Sequence, residues 1–178
     1  MNKFVSSPLL PGNGIVRLPP LPLDKKADVA TFKALQAART VLGTRVVDAA
    51  FTAAMARVTP APSSSPAAEH ALAEYARVAA AANAILREIN DALRQSGLLN
   101  NDKATELEQH ATRIQQLERE RYAATLAYQA TAIDNARGDR DRAGDVAAAW
   151  AARESAVTAI VDALEDMQAW IVDDFSEE

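Results

Sequence analysis

The chain has 178 residues, of which 49% are hydrophobic, and it carries no cysteine and a formal net charge of −5. The lack of cysteine excludes disulfides, thiolate metal sites and cysteine nucleophiles, and it suits a reducing cytoplasm. No run approaches the roughly 20 apolar residues that span a bilayer, and Pro8 and Pro11 interrupt the one apolar stretch placed where a signal peptide would be. The expectation is cytoplasmic synthesis with no cleaved signal and no membrane partner.

All eight prolines fall between Pro8 and Pro66, so the 112 residues from Ala67 onward are free to be helical. Forty residues are alanine and only 5% are aromatic. Alanine combines the best helix propensity with a short side chain, which favours long helices packed closely over a globule with a thick core. The charge divides at the same place. Residues 1–66 have eight Lys or Arg against three Asp, a balance of +5, and residues 67–178 have 11 against 21, a balance of −10. A basic N-terminal part thus suits an acidic surface, on this chain or on a neighbouring copy.

Residues 1–23 read as an extended, proline-stiffened arm. Proline fixes its own φ and drives the preceding residue out of the helical region, so turns alternate with polyproline-II stretches. The arm is nevertheless apolar. Phe4, Val5, Leu9, Leu10, Ile15, Val16, Leu18, Leu21 and Leu23 have no helical face to join, and with Arg17 they are the candidate partner-binding residues. The run Leu18-Pro19-Pro20-Leu21-Pro22 resembles a ligand of SH3 domains, but Arg17 abuts it one residue closer than the usual basic anchor. A structural arm is the better reading.

Four helices are predicted, over about 24–58, 66–96, 102–136 and 142–175. Asp24 is a fair N-cap for the first, whose apolar stripe is Val29, Phe32, Leu35, Leu42, Val46, Ala49 and Ala53. Ser65 caps the second, with Pro66 at its first position. Its stripe, Leu72, Tyr75, Ala79, Ala82, Leu86, Ile89 and Leu93, alternates steps of three and four, the seven-residue repeat of helices packed nearly parallel to their neighbours. Gly97 ends it, and Asp102 opens the third. There Leu107, Ile114, Leu117, Ala124 and Tyr128 form one stripe, with Tyr122, Leu126 and Ile133 beside it. Gly138 and Gly144 bracket a charged turn, and the fourth helix carries Val146, Trp150, Arg153, Val157, Ile160, Leu164, Met167 and Ile171.

The fold expected is all-α: an elongated up-down-up-down four-helix bundle over 24–178, preceded by the extended Pro-rich arm 1–23. Bundles often hold di-iron sites built from Glu-x-x-His pairs, but Ala67 and Leu107 stand three residues before His70 and His110, so neither pair exists. No metal or cofactor is expected. Arg121 and Arg153 fall on apolar stripes, and Arg153, brought near Tyr128 by a turn at about residue 140, should lie along a groove with its guanidinium on a ring and its head in water. Trp150 and Trp170 are expected to fill the core. Arg137-Gly138-Asp139 spells the integrin-binding tripeptide, though a Gly between charges is what a helix-to-helix turn requires.

There is no Gly-rich phosphate loop and no Ser/His/Asp arrangement, which argues against an enzyme and a small-molecule substrate. Lys25, Lys26, Lys33, Arg39 and Arg45 offer a weak case for nucleic acid, opposed by the negative charge of the remainder. The expected function is therefore a non-enzymatic structural or assembly protein, docked through its arm into a larger complex with a protein partner or identical copies. A bacteriophage virion component of cement, collar or fibre-attachment type is the natural setting. The alternative is a secreted effector or regulatory protein-binding module using the arm or a bundle face.

Overall fold

A computed structural model describes residues 29–59, 65–95, 106–138 and 141–174. The arm and the Asp24 and Asp102 caps lie outside them. The chain is all-α, with no strand among the described residues, and it divides into two compact units, Met1–Leu98 and Leu99–Glu178.

In the first unit, α1 (Val29–Val41) runs through a π-helical segment (Leu42–Asp48) into α2 (Ala49–Val58). This broken helix packs against α3 (Pro66–Gln95). The pairing is antiparallel, because rising numbers meet falling ones: Arg39 with Asn90, then Phe51 with Tyr75 and Arg57 with Glu74. Ser65 caps α3 as expected, its Oγ accepting from the Ala68 N–H at 3.1 Å, with Pro66 at the first helical position.

The π segment corrects the expected stripe. Phe32, Leu35, Leu42 and Val46 are buried as anticipated, but Ala49 and Ala53 are exposed and Phe51, Ala54 and Val58 are buried instead. A π turn holds one more residue than an α turn, so every position after Val46 moves on by one. The Thr40 and Thr44 hydroxyls donate to carbonyls four residues back, at 3.1 and 2.8 Å, where the widened register begins.

On α3 the buried seam is Ala68, Ala71, Val78, Ala82, Ile85, Ile89, Ala92 and Leu93, with Leu72, Tyr75, Ala79 and Leu86 half-buried beside it. Half of the expected heptad is thus displaced by one residue. Alanines make up half of the seam, which permits close approach of the helix axes, and Leu72 and Leu86 flank it.

The second unit is a hairpin of α4 (Glu106–Arg137) and α5 (Ala143–Asp174). Its antiparallel register runs from His110 against Trp170, through Arg113 with Asp166, to Tyr128 against Trp150. Gly138 ends α4 at φ 80°, a left-handed conformation that glycine adopts without a Cβ penalty. The turn is then closed by side chains. Asn135 Oδ1 accepts from the Arg142 N–H at 2.8 Å, and Asp141 Oδ1 accepts from the Ala143 N–H at 3.0 Å. Gly144 lies within α5 and does not belong to the turn.

Candidate functional site

The ten arm residues proposed to bind a partner, Phe4 to Leu23, lie outside the described residues. Within the hairpins, several buried polar groups bond to one another. Arg39, 3% exposed, donates to Gln36 Oε1 at 3.1 Å and to Asn90 Oδ1 at 2.6 Å. Charge-assisted bonds of this kind offset much of the cost of keeping a guanidinium inside. The same burial removes Arg39 from the set of cations that could face a phosphate backbone, leaving Lys33 and Arg45 exposed on this stretch.

On α4 the buried face is more polar than the apolar residues suggest. Ala111, Ile114 and Ala132 are buried, and so are Gln115, Glu118, Thr125 and Gln129. Arg121 Nε donates to Glu118 at 2.8 Å, with side chains only 15% and 6% exposed, and the Thr125 hydroxyl donates to the Arg121 carbonyl at 2.8 Å. Tyr122 and Leu126 are exposed instead. Reading by apolar period favours Leu107, Ile114, Leu117, Ala124 and Tyr128, of which Ile114 is buried and the other four are half-buried. The seam actually formed follows positions 111, 115, 118, 125, 129 and 132, which keep helical spacing while carrying polar groups that can satisfy each other.

At the turn end of the second hairpin, Tyr128 and Trp150 meet edge to face at 5.0 Å, and the Arg153 guanidinium carbon lies 4.9 Å from the centre of the Trp150 ring. The expected stacking of Arg153 near Tyr128 is present, with Trp150 as the platform. Two details differ. The Arg153 head is buried and donates to Glu154 Oε1 at 2.8 Å, so it does not reach into water. Trp150 is 44% exposed and does not fill the core. The reason is the rotation of α5: its buried line is Arg153, Ile160, Ala163 and Met167, which leaves Trp150 and Val157 at the margin. At the other end, His110 stacks on Trp170 at 5.6 Å and both are half-buried, while His70 is exposed. No group of three or more His, Asp or Glu that could hold a metal occurs among the described residues.

The remaining feature is a ridge on α5. Trp150, Val161 and Val172 are 44%, 46% and 55% exposed and recur every eleven residues. Eleven residues make just over three helical turns, so the three side chains stand nearly in line, about 16 Å apart. The half-buried Val157 and Leu164 lie along the same line. The signal is visible in the sequence, but a reading centred on the period of three and four assigns these valines to a solvated face. Comparison with family models, curated proteins and solved structures returns no match to this chain.

Proposed function

We propose that this chain is a non-enzymatic structural or assembly protein that docks through residues 1–23 into a larger complex. The observation that carries the reading is the composition of the arm: nine apolar side chains interspersed with five prolines before Asp24. Ordering such a segment costs roughly 1–2 kcal/mol per residue in backbone entropy, so docking it requires a substantial surface. Its prolines lower that cost by restricting the free chain beforehand. Within each hairpin, buried charged groups are engaged in internal bonds.

The setting that best suits a short chain of long helices with an anchoring arm is a bacteriophage virion, in a cement, collar or fibre-attachment role. Amine crosslinking of the native assembly tests this, since Lys3, Lys25 and Lys26 place reactive amines along and just beyond the arm. Repeated, identical crosslinks from these lysines to a neighbouring chain are the expected result. Crosslinks confined to the chain's own residues would refute docking. A single heterologous partner would point to a regulatory binding module instead.

A further inference from the structure

We infer that the exposed α5 ridge of Trp150, Val161 and Val172 is the receptor for the N-terminal arm of a second copy of this chain, an inference that rests on the reading of residues 1–23 as a docking arm.

The occupant is selected by charge. Between Ala143 and Asp174, α5 has seven Asp or Glu against the single base Arg153, a balance of −6. Glu154, Asp162 and Glu165 are exposed on the outward side of the ridge. Two α5 ridges brought together would juxtapose these carboxylates, so self-pairing of the ridge is opposed by like charge. The ridge instead suits a segment that is both apolar and basic. In this chain, residues 1–23 meet both requirements: Lys3 and Arg17 are their only formally charged side chains, no acid precedes Asp24, and Lys25 and Lys26 follow directly.

Reach agrees with this choice. From Trp150 to Val172 is 22 residues of helix, or about 33 Å at 1.5 Å per residue. At a polyproline-II rise of about 3.1 Å per residue, some eleven residues of arm cover that length. An arm given to a neighbour and a ridge offered to another make a contact that closes into a reciprocal dimer or a ring, or continues as an array.

The test uses three full-length proteins in sedimentation equilibrium: the natural chain, a ridge variant Val161→Lys/Val172→Lys, and an arm variant Leu18→Asp/Leu21→Asp. The natural chain should associate above the monomer mass, and more weakly as salt rises, since exposed charges are screened within about 10 Å at 0.1 M. Each variant alone should associate at least tenfold more weakly. An equimolar mixture of the two should regain association, because one retains the arm and the other the ridge, and this recovery also shows that both are folded. A natural chain that stays monomeric at all concentrations overturns the inference. So does an unaffected ridge variant beside a crippled arm variant, but that outcome leaves the docking arm standing with a different receptor. Loss in the ridge variant alone shows that another segment occupies the ridge, and association unchanged in both variants removes the docking arm as well.

Discussion

Arg39 on α1 reaches across the first hairpin to Asn90 on α3, and the 2.6 Å bond between them is made by a guanidinium that is 3% exposed. Because the donor is charged and buried, removing its acceptor should cost more than removing the charge itself. Asn90→Ala is expected to lower stability by about 1.5–3 kcal/mol, the range for hydrogen bonds to charged groups. Arg39→Met, which replaces the ion by an apolar chain of similar length, should cost less. Urea denaturation followed by circular dichroism gives both values, and the reverse order would mean that Asn90 is not the acceptor that matters.

The π segment predicts an asymmetry between deletions. Removing Gly43 should close the widened turn to an ordinary α-helix while keeping Phe51, Ala54 and Val58 on the buried face. Removing Ala53 instead rotates Ala54 and Val58 by about 100° away from α3. The first deletion should change stability by less than about 1.5 kcal/mol, and the second should cost about 2 kcal/mol or more in lost apolar burial. Equal losses would show that the π turn is required for more than register.

The two glycines of the second hairpin should respond in opposite directions to alanine. A Cβ at Gly138 meets no atom within 4 Å, but its φ of 80° is strained for any L side chain, so Gly138→Ala should cost about 1 kcal/mol. Gly144 also has open space around it and sits in the first turn of α5, where alanine should gain a few tenths of a kcal/mol from helix propensity. A lower melting temperature for the first and an unchanged or higher one for the second is the outcome to look for.

Arg153 provides a fourth measurement. Its stacking on Trp150 and its bond to the half-exposed Glu154 are each modest, and a leucine would suit the buried line that it shares with Ile160. Arg153→Leu should therefore shift stability by no more than about 1 kcal/mol in either direction. The fluorescence of Trp150 should change as the cation leaves its ring. A loss of several kcal/mol would require a buried carboxylate partner for Arg153.

Proline placement, alanine content and helical periodicity are local properties, and they determined the all-α class, the Ser65–Pro66 start of α3 and the turn at Gly138. They also marked Arg153 as a residue to be explained by an aromatic neighbour. The cores of the helices were legible to within one residue for the same reason: a helix repeats every 3.6 residues whatever it packs against.

Which of two adjacent lines on a helix is buried was decided by the tertiary structure, because it depends on how closely two axes approach and on which polar groups find partners. Ala71, Val78 and Ile85 were buried on α3 in place of Leu72, Ala79 and Leu86, Gln115, Glu118, Thr125 and Gln129 took the seam of α4, and one extra residue in the π turn moved the face of α2 from Ala49 and Ala53 to Phe51, Ala54 and Val58. The same rotation of α5 that buries Arg153, Ile160 and Met167 leaves Trp150, Val161 and Val172 facing solvent. An apolar residue has the same hydrophobicity in the core as on a ridge, and only the position of its neighbours determines which it becomes.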